Sequence, residues 1–432
     1  MKLLSRMILI ILVISCPGLA RLSRAGGPNA VNTQTKVLTL QDALMRVFAA
    51  NPRIEASELE IRAAAARASQ AGLRPNPEFE AEFQNLPALS SSDPFRSTEV
   101  DFLISQRWET GGKRDLRVEA AAKEKNVAGR ALELLRMDLT TGARNAFADV
   151  LADQERLANS RELTRLARKS HSIVVDRVAA GKVSPVEEIR SLASLADMEL
   201  EEEKQEREVI ASKDRLAALW GGTSLDFERA KAPFEIPALP ADIESCKENH
   251  PDLKLAEATV ELQRSALALE KAQRKPDLTF TAGYRRSNSE GFNAWVAGVS
   301  LPLPFFDKRQ GAIAEAHIRL QKASAEKKDV ERNLRSALAE ARHIYDIALL
   351  ESESLAETVL PAAAEAQDSI EEGYRLGKFD YVNVVDAQRT YARLQRRYIE
   401  AVVSGLKAAI EMDRLGGCDF RITPTTEVSN DR

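Results

Sequence analysis

Glu78-Phe79-Glu80-Ala81-Glu82-Phe83-Gln84 is the stretch from which the fold can be read. Phe79, Ala81 and Phe83 fall on one side, and Glu78, Glu80, Glu82 and Gln84 on the other. That period of two belongs to a strand with one apolar and one polar face. Beyond a loop rich in Ser and Pro (86–96), Val100, Phe102 and Ile104 alternate with Glu99, Asp101 and Leu103. The pattern returns as Leu278, Phe280, Ala282 and Tyr284 against Asp277, Thr279 and Thr281. After 287–291 it continues as Trp295, Ala297, Val299, Leu301 and Leu303. Strands are expected at about 77–85, 98–108, 276–286 and 293–303, each roughly 9–11 residues, the span of a tilted membrane strand. Four strands cannot close a barrel, which needs about eight. Left open in lipid, the sheet edges would carry unsatisfied backbone groups at several kcal/mol each. Closure must come from other copies. Two copies supply about 8 strands and three about 12, and a helical tunnel continuing the barrel favours three.

The hairpins recur because the chain is one unit written twice. Asn51-Pro52 matches His250-Pro251, and Pro77 matches Pro276, both 199 residues on. Gly112-Lys113-Arg114 faces Asp307-Lys308-Arg309, Gly181-Lys182 faces Gly377-Lys378, and Trp220-Gly221-Gly222 faces Leu415-Gly416-Gly417. Repeat 1 is placed at 40–222, a linker at 223–241, repeat 2 at 242–417 and a tail at 418–432. Each repeat should run helix, two strands, long helix, glycine turn, helix. The first has helices at 40–73, interrupted at Asn51-Pro52, then at 112–179 and 184–220, with Ser184-Pro185 as N-cap and first-turn proline. The second has them at 243–273, 309–376 and 380–415, with a kink expected at Pro361. At 1.5 Å per residue the long first-repeat helix measures roughly 100 Å, and the two shorter ones about 50 and 55 Å. Two short helices stacked end to end therefore match one long helix, as antiparallel coiled-coil packing requires.

Composition agrees and excludes much else. The 432 residues are 44% hydrophobic, 29% charged and 5% aromatic, and lean in Gly and Pro, as long helices are. A net charge of −4 and a pI near 5.9 leave no basic excess for a nucleic-acid partner. At the N-terminus, Lys2 and Arg6 precede an apolar run at 7–14 and the small-residue sites Gly18-Leu19-Ala20 and Ser23-Arg24-Ala25. Residues 1–25 read as a signal peptide and 26–39 as an N-terminal extension. Val13-Ile14-Ser15-Cys16 also fits a lipobox, which would place a lipid on Cys16. Cleavage removes four cations and no acid, so the mature chain is more acidic. No later apolar run approaches the ~18 residues of a membrane helix.

Beyond residue 38 the chain resembles the TolC-type outer-membrane factors. The carrying residues are the two helix breaks, Glu109-Thr110-Gly111-Gly112-Lys113-Arg114, the stretch at 301–311 (LPLPFFDKRQG), Gly181, and Gly377-Lys378-Phe379-Asp380-Tyr381 running into Val385-Asp386-Ala387-Gln388-Arg389. The stretch at 301–311 and the Leu219-Trp220-Gly221 close are most similar to the cobalt–zinc–cadmium (CzcC-type) efflux branch. The resemblance implies a mainly α protein with a membrane β-barrel part. Its homotrimer would build a 12-stranded barrel among outer-membrane lipids of a Gram-negative bacterium, continued by a periplasmic α-barrel. The implied partners are a periplasmic adaptor (membrane fusion protein) and an inner-membrane, proton-driven RND pump, and the implied cargo is heavy-metal cations. Type I secretion or drug efflux is the alternative within the family, and a periplasmic coiled-coil structural protein is the alternative outside it.

The resemblance also assigns residues. Adaptor docking falls at the tips, Gly181, Lys182, Gly377 and Lys378. A tip gate falls on Glu187, Tyr374, Asn383 and Asp386, with a Tyr374–Glu187 hydrogen bond. Asn383 stands where the family places an acid, and Phe379 where it places a base. From the residues themselves, Glu78, Glu80, Glu82, Glu99 and Asp101, joined by Asp277 and opposed by Arg107 and Arg285, form an acidic lumen that prefers cations. No cofactor is expected. His171, His250, His317 and His343 lack the spacing of a zinc site, no Gly-rich phosphate loop or Ser elbow occurs, and an enzyme is not expected. Cys246 and Cys418 are expected in a belt midway along the helices, as two independent thiols, with a disulfide in an oxidising periplasm as the alternative.

Overall fold

The computed structural model describes residues 37–84, 98–239, 250–287 and 291–416. The signal peptide, Cys16, Cys246, Cys418, the loop at 85–97, the start of the helix expected from 243 and the C-terminal tail lie outside them.

The elements run β1 (Val37–Leu38), α1 (Leu40–Ala50), α2 (Pro52–Ala71), β2 (Glu78–Gln84), β3 (Glu99–Trp108), α3 (Lys113–Ala179) and α4 (Pro185–Ala217). Then come β4 (Arg229–Ala230), α5 (Pro251–Gln273), β5 (Leu278–Ser287), β6 (Phe292–Ser300), α6 (Gln310–Ser354), α7 (Leu360–Arg375) and α8 (Tyr381–Gly416). Helix α3 packs against α2, α4, α5 and α8, and α6 against α5 and α8. Among the described residues no helix is long and apolar enough to cross a membrane.

Local chemistry sets the boundaries. A capping box starts α1, where Thr39 Oγ1 accepts from the Asp42 N–H at 3.2 Å and Asp42 Oδ2 accepts from the Thr39 N–H at 3.3 Å. Asn51 stays extended ahead of Pro52 and caps α2, its Oδ1 accepting from Arg53 N–H at 3.0 Å. Its Nδ2 donates to the Leu219 carbonyl at 3.0 Å. The second repeat does the same with an imidazole. His250 Nδ1 accepts from Asp252 N–H, and Nε2 lies against the Arg414 carbonyl, both at 3.1 Å. Leu219 and Arg414 are themselves equivalent positions, so both repeats clasp their first helix to their last in one way.

The long second-repeat helix carries a π turn at Leu355–Val359, just before Pro361. Proline supplies no N–H and crowds the carbonyl four residues back, and an i→i+5 turn accommodates that loss. Both long helices start from a left-handed residue, Gly112 at φ 71° and Arg309 at φ 56°. That pairing is 197 residues apart, so Arg309 aligns with Gly112 rather than with Arg114 as the sequence suggested. Held there without glycine's freedom, Arg309 is bound by Glu270 Oε2 at 2.9 Å and by Asp307 Oδ1 on its N–H at 2.7 Å.

The four-stranded sheet has the order β2-β3-β5-β6 and is antiparallel throughout. Strand β6 stops at Ser300, short of the expected 303. Pro302 and Pro304 lack ladder donors, so Leu301 and Leu303 fall outside the strand. Strand β2 spans seven described residues, fewer than expected. A second, two-residue parallel pairing joins β1 to β4. Gln154 extends it, its side-chain amide exchanging hydrogen bonds of 3.0 and 2.9 Å with the Ala230 backbone. The segment after β4 then crosses to the second repeat. Tyr345 OH donates to the Pro237 carbonyl at 2.9 Å, and Ile236 fills the space left by Gly405, where a Cβ would collide with it.

Candidate functional site

Two ends of the molecule carry the residues singled out above. At the sheet end, register fixes which side chains share a face. Phe79 opposes Ile104, Ala81 opposes Phe102, Phe102 opposes Tyr284, and Tyr284 opposes Trp295. One face is thus mainly apolar across both repeats, broken by Gln106 and by Arg286 and Asn293, with Phe79 stacked on Phe102 at 6.4 Å and Tyr284 edge-on to Trp295 at 5.8 Å. It has no partner among the described residues, and Trp295 is 87% exposed. The outer edges of β2 and β6 are likewise unpaired among the described residues.

The opposite face holds the expected acids, but not all of them bare. Glu78, Glu80 and Glu82 are exposed on edge strand β2, and Glu99 is half-buried with its Oε1 accepting from Ser287 Oγ at 3.2 Å. Asp101 is buried. Arg285, opposite it in the β3–β5 register, grips it through Nη2 at 2.6 Å and Nε at 2.9 Å. Asp277 accepts from Lys113 Nζ at 2.6 Å and from Thr110 N–H at 3.0 Å. Asp101 and Asp277 therefore join the repeats, and they contribute little free negative charge to the face. The chain's own uncompensated acid is concentrated on β2.

At the other end of the helices, α3 turns into α4 through Gly181 (φ 63°), and α7 into α8 through Gly377 (φ 81°). The two turns share one hydrogen-bond pattern. Lys182 N–H donates to Arg177 O and Gly181 N–H to Val178 O, both at 2.9 Å, while Lys378 N–H donates to Gly373 O at 2.8 Å and Gly377 N–H to Tyr374 O at 2.9 Å. Each is a Schellman closure, which needs a left-handed residue where the glycine stands. Lys182 and Lys378 are both exposed, at equivalent places.

Tyr374 is where the two turns are coupled. Its ring packs among Val174, Tyr381 and Val384 and is 2% exposed. Its hydroxyl donates to Glu187 Oε2 on α4 at 3.0 Å. From α3, the Arg177 guanidinium lies 4.3 Å over the ring and also donates to the Tyr374 carbonyl. Burial first, then the hydrogen bond to Glu187, holds the phenol well above its ordinary pKa, so it stays a donor. One residue thereby touches α3, α4 and α8 from the end of α7. Asn383 and Asp386 are exposed on the face of α8 turned away from this cluster.

The sequence reading missed Arg177, four residues before Gly181 but with no local sign of a tyrosine from the other repeat. It also missed Lys169 Nζ on Glu371 at 2.8 Å and Gln388 Nε2 on Ser170 Oγ at 2.7 Å. Phe379 packs against Gly373, where any Cβ would meet its ring. Among the described residues no group of His, Cys, Asp and Glu could hold a metal ion. His250 is fully buried in its capping role, and His171 Nδ1 lies 2.7 Å from Ser191 Oγ.

Residues 43–222 and 243–417 match the outer membrane efflux protein family, one copy per repeat. The chain is 30% identical to the cobalt-zinc-cadmium resistance protein CzcC of Cupriavidus metallidurans, over 88% of this chain and 90% of that one. It is 26% identical to the nickel-cobalt-cadmium resistance protein NccC of Alcaligenes xylosoxydans xylosoxydans, over 72% and 70%. The crystal structure of the outer membrane protein VceC from Vibrio cholerae superposes with a TM-score of 0.75 at 18% identity, covering 88% of this chain and 96% of that one.

Proposed function

Because this chain belongs to the outer membrane efflux protein family, we propose that it is the trimeric outer-membrane duct of a heavy-metal efflux system. The observation that carries this reading is the four-stranded sheet, mainly apolar on one exposed face and unpaired at both edges among the described residues. Such a sheet is stable in lipid only when closed, and three copies close it at about 12 strands. Helix α4 supports the same assembly, since Val186, Ile189 and Leu192 recur every third residue and are all more than half exposed. They suit burial against a neighbouring protomer.

The helices then prolong the barrel into the periplasm and end at the Gly181 and Gly377 turns. There Lys182 and Lys378 meet an adaptor protein, which links the duct to a proton-driven RND pump of the inner membrane. The duct itself is passive. The names of the cobalt-zinc-cadmium and nickel-cobalt-cadmium resistance relatives support divalent metal cations as cargo. The Tyr374–Glu187 tie holds the tip closed, and Asp386 faces the conduit.

The test is extraction of the full chain from outer membranes. Trimers that resist SDS but dissociate on heating, and that conduct in planar bilayers, are the expected result. A non-conducting monomer in the soluble fraction would end this reading and restore the periplasmic coiled coil.

A further inference from the structure

Where the sheet meets the helices lies a groove of about 390 Å³. Arg274 and Lys275 line one side and Phe305 and Phe306 the other. The two rings are 72% and 94% exposed, unusual for phenylalanine in contact only with water. Both cations are exposed, and neither has a carboxylate partner among the described residues. Of the other charges in the groove, Arg309 is bound to Glu270, while Asp307 keeps its charge, its Oδ1 accepting only from the neutral Arg309 N–H; the groove is left with two cations against one carboxylate. Lys275 is also fixed at its base, its stem lying over Gly111 where a Cβ would touch it.

The groove sits at a defined depth. Strands β3 and β5 have ten residues each. At about 3.3 Å per residue and a tilt of about 40°, they rise about 25 Å, the height of a membrane barrel's apolar band. Their helix-side ends, Trp108 opposite Leu278, therefore mark the edge of the hydrocarbon. Trp108 is 58% exposed, and the Arg74 guanidinium lies 5.9 Å over its ring. Aromatic side chains with cations just beyond them are the arrangement that suits a membrane surface carrying negative headgroups.

We propose that the groove binds an anionic phospholipid of the periplasmic leaflet, Arg274 and Lys275 holding the headgroup phosphate while Phe305 and Phe306 enter the acyl region. The site rests on the channel reading, because only that reading puts the junction at a bilayer surface. Native mass spectrometry of the detergent-extracted full chain, titrated with phosphatidylglycerol or phosphatidylcholine, tests it. The wild type should retain phosphatidylglycerol preferentially. The R274Q/K275Q chain should bind it about 30-fold more weakly, at roughly a tenth of the affinity per 1.4 kcal/mol and about 1 kcal/mol per cation. Phosphatidylcholine carries the same phosphate beside a balancing choline cation, so its binding should fall less than that of phosphatidylglycerol in that pair, and should be weakened by F305S/F306S. SDS-resistant trimers and conductance, measured on the same samples, should be unaltered by R274Q/K275Q.

A wild-type channel that conducts but retains both lipids equally overturns the lipid site and leaves the duct standing. So does displacement of phosphatidylglycerol by equimolar inorganic phosphate, which would mark a simple anion site. If F305S/F306S abolishes the trimer while lipid retention persists, the rings belong to a subunit contact and the proposal is wrong. A wild type that neither trimerises nor conducts overturns the channel reading, and the site with it.

Discussion

His250 shows how one substitution changes the chemistry of an otherwise duplicated contact. Asn51 and His250 occupy equivalent helix breaks and make equivalent bonds, to Leu219 and Arg414 respectively. Only the imidazole titrates. Its Nδ1 must stay unprotonated to accept from the Asp252 N–H. Desolvation is the main reason its pKa lies below the ordinary value, with the Arg414 guanidinium charge adding to it, while the Asp252 carboxylate at 3.7 Å, the Arg414 carbonyl bound to its ring and Asp138 oppose them. The unfolded chain therefore takes up the proton first. The stability that depends on neutral His250 is complete above pH ~6.5 and is lost as pH falls below it, with a slope of at most about 1.4 kcal/mol per pH unit. Thermal unfolding between pH 7.5 and 5.5 should show this loss, and His250→Asn, which copies the cap of the first repeat, should flatten it. An equal acid slope in both chains would place the effect elsewhere.

Among elements, the helical hairpins α3/α4 and α7/α8 are held together at their turns by few groups. The turns themselves are self-contained, since each Schellman closure satisfies its own carbonyls. Tyr374 joins one hairpin to the other at the turns, through Glu187 and Arg177, and Lys169–Glu371 and Gln388–Ser170 add links one to two helical turns away. A hydrogen bond to a carboxylate is worth about 1.5–3 kcal/mol, enough to bias the proposed tip gate. Tyr374→Phe removes the hydroxyl and keeps the ring packing against Val174 and Val384. Its single channels in planar bilayers should open more often or conduct more. Unchanged conductance would show that the tip is held by contacts between protomers instead. The sheet makes the complementary point, since its edges are unpaired among the described residues and in lipid would call for neighbours.

For the whole molecule, the balance of charge decides what the duct passes readily. Arg285 neutralises Asp101, and Lys113 neutralises Asp277. The field on the polar face therefore comes mainly from Glu78, Glu80 and Glu82, with Glu99, which is bound only by a hydroxyl; the proposed trimer would repeat them. In a narrow water-filled barrel such rings favour cations. Reversal potentials across a salt gradient should show cation preference in the wild type, and replacing the three glutamates with glutamine should remove most of it. Asp101→Asn, by contrast, should loosen the joint between the repeats and free Arg285, shifting selectivity toward anions. A wild-type channel that prefers anions would refute the acidic-lumen account.

Much of this was legible in the sequence because it is local. A period of two in 78–84, Asn51-Pro52 and His250-Pro251 as helix breaks, and glycines at 181 and 377 each act through neighbours a few residues away. The duplication made the other half of each pair easy to find. Contacts across the fold were not legible, because nothing near Asp101 names Arg285 and nothing near Arg177 names Tyr374. Their meeting depends on the register of β3 with β5 and on where α3 ends beside α7. The sequence by itself determined the alternation of the strands, the caps of the helices and the places where the chain turns. Only the tertiary structure decided which charges cancel, which stay bare, and that Arg177 would join the expected Tyr374–Glu187 pair, because electrostatics and packing depend on distances set by residues far apart in the chain.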